Sequence, residues 1–467
     1  MTNVKRITLI TVCLAAILPG NGLWAQQTEA TGTTQTADSV SMPAQWDLQS
    51  CIDYALQQNI SIRRNRINAQ STQVDVKTAK AALFPSLSFS SSQNLANRPY
   101  QESSSIISGS EVLKSSNKTT YNGNYGLNAQ WTVYNGSKRL KTIEQEKLNN
   151  RVADLDVATS ENDIEQSIAQ VYIQILYAAE SVKVNENTLQ VSEAQRDRGK
   201  QLLDAGSIAR SDYAQLEAQV STDRYQLVTA QATLQDYKLQ LKQLLELDGE
   251  QEMQVYLPAL GDENVLSPLP TKTDVFRSAV ALRPEIEASK LSVEASELGI
   301  GIAKSGYLPS VSLTAGIGTN HTSGSDFTFG EQVKNGWNNS IGLSISVPIF
   351  NNRQTKSAVE KAKLQYQTSQ LTLLDEQKTL YKTIEGLWLD ANSAQQRYAA
   401  AIEKLHSTQT SYELVSEQFN AGMKNTVELL TEKNNLLQAQ QELLQSKYMA
   451  ILNTQLLKFY QGDKITL

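Results

Sequence analysis

The chain of 467 residues carries 42 Lys and Arg against 48 Asp and Glu, for a formal net charge of −6, with 2 Cys and 2 His. A mildly acidic chain argues against nucleic acid as a partner. His321, in a polar stretch, and His406, on a long helical stretch, stand at no metal-ligand spacing, and no glycine-rich phosphate cradle is present, so the sequence calls for no metal, no cofactor and no catalysis.

Lys5 and Arg6 precede an apolar run from Ile7 to Leu18, and Leu23-Trp24-Ala25 offers a small residue for cleavage. This predicts a signal peptide over 1–25. Cys13 sits inside the apolar run without a lipidation context, so export leaves Cys51 alone and no internal disulfide forms. Residues 26–45, rich in Thr, Gln, Ser and Ala, read as a flexible linker. Beyond the leader, no apolar run reaches the roughly 18 to 20 residues of a transmembrane helix, so membrane insertion falls to strands.

From Trp46 onward the chain is a tandem repeat, 46–248 and 273–467, around a linker at 249–272 marked by Pro258, Pro268 and Pro270. Leu83-Phe84-Pro85-Ser86 lies on Tyr307-Leu308-Pro309-Ser310, Gly126-Leu127 on Gly342-Leu343, and Lys147-Leu148 on Lys363-Leu364. The first repeat is predicted as a helix at 49–82, strands at 83–91 and 121–133 around a polar loop at 97–120, a long helix at 138–204 and a return helix at 211–247. The second is predicted as a helix at 275–305, strands at 307–319 and 337–349 around a polar loop at 320–336, and helices at 354–420 and 427–460.

The strands carry the sharpest pattern. Tyr121, Tyr125, Leu127, Ala129, Trp131 and Val133 share one face while Asn122, Asn124, Asn128, Gln130 and Thr132 occupy the other. Trp337, Ile341, Leu343, Ile345, Val347 and Ile349 repeat this against Asn338, Ser340, Ser344 and Ser346. An ordinary half-buried sheet shows the same alternation, but no globular domain is left for this one to pack on. Lipid on one side and water on the other demand it directly. A sheet in hydrocarbon cannot keep an open edge, and four strands cannot close alone, so copies must join: eight strands as a dimer, twelve as a trimer.

The long helices share one heptad register. Ile168, Ile175, Val182 and Leu189 fall on Ile384, Ala391, Tyr398 and Leu405, and Ile164, Val171 and Ala178 on Leu380, Leu387 and Ala394. Such stripes specify coiled-coil packing, and at 1.5 Å per residue each helix spans roughly 100 Å, the length of a rod crossing an aqueous space. Gly299-Ile300-Gly301 fits close helix packing, with no cofactor fingerprint behind it. Between the helices of each hairpin, Asp204-Ala205-Gly206-Ser207-Ile208 aligns with Asn420-Ala421-Gly422-Met423-Lys424, where a glycine at positive φ ends a helix. Ile208 and Met423 are expected to be exposed there, as residues that a partner covers. Asp212 and Glu428 then lie in the first turn of the return helices, favoured by the helix dipole, with Ser211 a candidate N-cap.

Taken together these residues resemble the TolC-like outer-membrane efflux proteins, over 46–460. Trp46-Asp47-Leu48 with Cys51-Ile52, Ala55-Leu56 and Asn59 looks like the family's opening helix, Phe84-Pro85 and Leu308-Pro309 like its helix-to-strand junctions, and Val347-Pro348-Ile349-Phe350-Asn351 like its strand-to-helix exit. The first repeat departs there, with Thr132 where the second has Pro348, and Asn352 stands where the first has Gly136. The resemblance implies a mainly α fold with a small β part, a homotrimer forming a 12-stranded outer-membrane barrel on a periplasmic helical tunnel. It further implies an exit duct that docks a periplasmic adaptor (membrane fusion) protein and an inner-membrane pump. On this reading Ala205, Gly206, Ser207, Ile208, Ala421, Gly422, Met423 and Lys424 form the tip that meets the adaptor, and Asp212 and Glu428 the aperture. The alternative is an anchored structural coiled-coil protein without transport activity; the water-facing Asn, Ser, Gln and Thr of the strands argue for the duct.

Overall fold

The computed structural model describes residues 45–100, 104–108, 111–115, 118–248, 253–258, 260–261, 265–325 and 327–466. The predicted signal peptide and all but the end of the 26–45 linker lie outside the described residues. Two helices of 67 residues dominate, α3 (Lys138–Asp204) and α8 (Gln354–Asn420), and each is followed by a return helix, α4 (Arg210–Leu244) or α9 (Thr426–Gln461). Their heptad stripes are inside as expected: Ile168, Ile175, Ile384, Ala391 and Tyr398 are essentially inaccessible, while Leu189 and Leu405 near the lower ends are half-buried.

Two predicted helices are each divided in two. The stretch at 49–82 breaks into α1 (Leu48–Gln58) and α2 (Ile60–Ala81) because Asn59 leaves the helical region at φ −58°, ψ 127°. Its carboxamide oxygen accepts from the Ser61 amide at 2.9 Å, capping α2, and its Nδ2 donates to the Leu244 carbonyl at 3.1 Å, closing the end of α4. The stretch at 275–305 breaks into α5 (Lys272–Leu282) and α6 (Pro284–Lys304) at Arg283, held extended by the proline that follows.

The four long strands are β1 (Ser86–Asn97), β4 (Thr119–Asn135), β5 (Ser310–Thr322) and β6 (Asn338–Ser346), antiparallel in the order β1-β4-β5-β6. Both polar loops contain unpredicted structure. Between β1 and β4 a hairpin of β2 (Ser104–Ser108) and β3 (Glu111–Ser115) appears, invisible to an alternation search because Ile106-Ile107 and Val112-Leu113 are adjacent apolar pairs. The 320–336 loop holds the end of β5 and a short helix, α7 (Phe329–Asn335), started by a Thr328–Glu331 capping box.

Strands meet helices through backbone in the left-handed region. Gly136 and Ser137 (φ 68° and 64°) turn β4 into α3, and Asn352 and Arg353 (φ 50° and 67°) turn the chain into α8. Asparagine tolerates that region better than most residues, so Asn352 can stand where the first repeat has glycine. The helices follow the strand order: α2 packs on α3, α3 on α6, and α6 on α8.

The largest core lies midway along the long helices. There α1 and the 171–176 stretch of α3 meet α4, α9 and the connector between repeats, which pairs Val255 with Trp46 in a parallel bridge. The chain end returns to it, burying Ile465. Asn59 stands at the seam where α1, α2 and α4 meet, so Asn59→Ala should destabilise the fold by about 1–2 kcal/mol, the usual loss for an N-cap. Thermal unfolding of the intact protein reads this, and an unchanged midpoint would assign the break to packing alone.

Candidate functional site: strand faces and hairpin turns

Strand register decides whether four alternating patterns add up to one surface. Phe89 pairs with Leu127, Leu87 with Ala129, Leu127 with Ile317, Trp131 with Leu313, and Leu313 with Leu343. The apolar residues of all four strands therefore share one face, and most stay exposed, up to 83% for Ile341. A one-residue slip in any strand would have inverted its pattern. Val133 corrects the expected list: a bulge between Thr132 and Tyr134 makes Tyr134 the partner of Val311 and leaves Val133 as the extra residue.

The opposite face carries Ser88, Ser90, Asn128, Thr314, Ser344 and their neighbours, with no formal charge among the described residues. Its hydroxyls point at the facing strand, as Ser86 and Thr314 do in donating to the carbonyls of Gln130 and Gly342, both at 3.3 Å. Such a wall offers water hydrogen bonds and no fixed charge to select ions. Aromatic rings bound the apolar face, Tyr121 and Tyr125 at the loop end, Trp131 and Tyr134 at the helix end, with the Trp131 indole donating to the Leu83 carbonyl at 2.8 Å. Tyr121 to Trp131 spans about 33 Å of strand and, at the usual tilt, about 25 Å of membrane thickness, the height of a barrel's apolar band. No described helix is long and apolar enough to cross a membrane.

At the far end, the hairpin turns are built alike. Gly206 donates to the Leu203 carbonyl and Ser207 to that of Leu202, while Gly422 donates to Phe419 and Met423 to Gln418, each set a Schellman motif. Both glycines have φ 73°, and an added Cβ would touch nothing, so conformation and not space requires glycine. Met423 is 71% exposed with Val427 beside it. Ile208, expected to be exposed, is half-buried. Ala205, Gly206, Ser207, Ala421 and Gly422 face solvent and Lys424 is partly covered.

The two first-turn acids cap their own helices. Glu428 forms a reciprocal box with Asn425, accepting from its amide at 3.3 Å and donating its own amide to the side-chain oxygen at 2.9 Å. Lys424 lies 2.7 Å from the carboxylate; its ammonium, then the Asn425 amide, hold the Glu428 carboxyl below its ordinary value. Asp212 accepts from the Ala209 amide at 3.3 Å, so the N-cap of α4 is Ala209 and not Ser211.

One cluster went unnoticed in the sequence. Asp223 of α4, Ser192 of α3 and Lys433 of α9 meet inside the rod, the lysine ammonium donating to both partners and the serine to the carboxylate. Among the described residues this is the ion pair with both side chains buried. Burial pushes the Lys433 ammonium below its usual value, opposed by its bond to Asp223. Gln219 supplies a further donor to Asp223 at 2.9 Å. With Gln195 donating to Tyr412 at 2.8 Å, the cluster ties the first hairpin to the second. The signal was legible: Asp223 falls seven residues after buried Leu216, and Lys433 seven after buried Thr426, opposite charges in core stripes. His321, expected in a polar loop, is instead a buried residue of β5.

The family model for outer membrane efflux proteins matches residues 51–246 and 275–462. The outer membrane protein TolC of Escherichia coli (strain K12) is 24% identical over 408 residues, covering 85% of this chain and 78% of that protein. The probable efflux pump outer membrane protein TtgC of Pseudomonas putida is 22% identical over 439 residues, covering 90% and 84%. The crystal structure of the outer membrane protein VceC from Vibrio cholerae shares the fold, with a TM-score of 0.73 at 18% identity over 90% of this chain and 97% of that one.

Lys433→Met should cost roughly 3–5 kcal/mol by leaving Asp223 buried without its counter-ion, whereas adding Asp223→Leu should restore most of the stability. Thermal unfolding of the three proteins checks this; a double variant as weak as the single one would make shape, not charge, the requirement.

Proposed function

The chain belongs to the outer membrane efflux protein family, and from that premise we propose that three copies close into one duct through which an inner-membrane pump, coupled by a periplasmic adaptor, discharges to the exterior. The protein is an outer-membrane efflux component with its helical part in the periplasm. The observation that carries the duct reading is the register that gathers the large apolar residues of all four strands, bulged Val133 apart, on one face and leaves an uncharged polar wall on the other. A sheet so divided, with its apolar face exposed and no domain packed on it, fits lipid on one side and water on the other.

Closure by several copies is supported by the free edges. β1 and β6 end the sheet, and α2 and α8 end the row of helices on the same two sides. On α2, Ile60, Ile67 and Val74 recur every seventh residue and stay exposed; on α8, Leu364 and Leu371 do the same. Half a coiled-coil seam on each edge fits a head-to-tail ring, in which the α2 edge of one copy meets the α8 edge of the next. Eight strands make a barrel whose interior is filled by side chains. Three copies, with four strands each, give the smallest ring here that leaves room for water.

The turns at Ala205–Ile208 and Ala421–Lys424 are the proposed adaptor contacts, supported by exposed Met423 and Val427 at the end farthest from the membrane. Asp212 and Glu428 are the proposed aperture carboxylates. The cap of Asp212 uses one carboxylate oxygen, whereas both oxygens of Glu428 are engaged, one by the Asn425 amide and one by Lys424, so at an aperture Glu428 acts as a salt-bridged carboxylate. A depressed Glu428 pKa keeps it ionised at neutral pH and protonates it only as the pH falls through that lowered value.

Planar-bilayer recording tests the pore. The wild type should conduct, and Glu428→Gln should weaken cation selectivity at neutral pH while leaving assembly intact; a wild type that inserts without conducting would reject the duct. The turns are tested by export in cells. Gly206→Pro or Gly422→Pro removes the amide that each turn donates and forbids its positive φ, so export should fall to the level of a deletion while purified variants still conduct. Normal export by both variants would move the adaptor contact elsewhere.

A further inference from the structure

Along β5, the apolar face continues past Ile317 through Thr319 to His321, at the end of the sheet away from the helices. His321 pairs with Gly123, where an added Cβ would lie 2.1 Å from the imidazole Cε1, so the glycine leaves the slot that the ring occupies. Tyr125 stacks on the ring at 5.8 Å, Tyr121 lies at 5.2 Å, and Phe329 of α7 meets it edge-on at 5.0 Å. Only 9% of His321 is exposed, and its Nδ1 has no hydrogen-bond partner. Three rings surround it, with the Gln93 carboxamide on the Gly123 side.

Helix α7 is fastened to this face. Thr319 donates its hydroxyl to the Val333 carbonyl at 2.7 Å, and Gln332 accepts from the Thr322 amide at 2.8 Å. Seven residues do not hold a helix in water alone, so docking on the strand maintains it. What it leaves outward is unexpected for a wet loop. Phe327, Phe329 and Trp337 are each more than half exposed, while Glu331 and Lys334 take the solvent side of the same short helix.

We propose that α7 is an interfacial helix, seated against the barrel's lipid-facing side at the outer rim, with Phe327, Phe329 and Trp337 in the boundary between headgroups and acyl chains of the outer leaflet. The occupant of this surface is therefore lipid, an amphiphile with a polar headgroup. The surface is continuous with the apolar strand face and lies at the height of Tyr121 and Tyr125, where aromatic rings gather on membrane barrels. An aromatic ring is apolar in body and tolerant of headgroups at its edge, which suits that depth. His321 acts as the peg: its ring fills the slot over Gly123 and gives Phe329 a flat wall, so α7 lies down on the barrel and does not stand in water. The inference rests on the reading that the apolar face meets lipid.

The test uses the full protein in phosphatidylcholine vesicles, with single cysteines at Phe327→Cys, Lys334→Cys and Leu343→Cys carrying an environment-sensitive fluorophore. Cys51 is fully buried, and the unsubstituted protein sets the background. Bromine placed at shallow acyl carbons should quench the label at position 327 roughly twofold or more above its effect at 334, and aqueous iodide should show the reverse order. Equal iodide quenching at 327 and 334 would overturn the proposal. The label at 343 separates this from the barrel reading, because it should respond to deep bromine and ignore iodide whatever α7 does; if it responds to iodide, the barrel reading itself fails. Should Phe327→Cys fail to insert, Phe327→Trp replaces it, read as the difference between its emission and that of the unsubstituted protein, which carries Trp46, Trp131, Trp337 and Trp388; a difference band shifted to the blue relative to exposed tryptophan is the expected result and a water-like one the contrary.

Discussion

Unpaired backbone N–H and C=O groups have no partner in hydrocarbon, and this governs the design from one end to the other. A four-stranded sheet with free β1 and β6 edges cannot exist in a membrane unless other copies cover those edges. Closure then imposes a ring, and a ring with a polar inner face is a channel whether or not anything selects for transport. The helical part must obey the same symmetry, because α2 enters β1 and α8 leaves the β6 side. Exposed heptad residues on α2 and α8 are the continuation, in coiled-coil terms, of the strand edges above them.

Length and stiffness follow from the two 67-residue helices. Nearly continuous heptads supply lateral attraction above and below the core at mid-length, so the rod can extend roughly 100 Å. That leaves little to decide which hairpin lies beside which, since the repeats share one register. The buried Asp223–Lys433 pair breaks this degeneracy, with the acid in the first repeat and the base in the second. Its partners are matched only when α4 and α9 lie together, and a wrong pairing would bury a lone charge.

Much of this was legible without coordinates. Long helices and strand faces announce themselves by a period, 3.5 or 2, sustained over many residues, and the paired turns by the alignment of one repeat on the other. Single-residue events do not. The break at Asn59 depends on one carboxamide reaching Leu244, nearly two hundred residues away. The bulge at Val133 shifts the register by one, so Tyr134 takes the apolar-face position that unbroken alternation gives to Val133. Arg283 before Pro284 was readable as a stop, yet the apolar pattern continues across it. The β2–β3 hairpin places its apolar residues in adjacent pairs that break the alternation, and α7, with seven residues, is too short to carry a helical period. His321 looked like a loop residue because its neighbours are polar, and only strand pairing with Gly123 reveals the slot that buries it. Asp223 and Lys433 could have been found as charges at core positions, but neither identifies the other until the hairpins are packed.

The central claim is that other copies of this chain close the open edges, three of them in the ring that leaves room for water, and the mass of the assembled particle tests it most directly. Native mass spectrometry of protein released from a lipid bilayer should show a single species of three chains. It should persist in the absence of any adaptor or pump, because the seams belong to this chain alone. A folded, membrane-inserted monomer would contradict the account outright, since its β1 and β6 edges would then stand open in lipid.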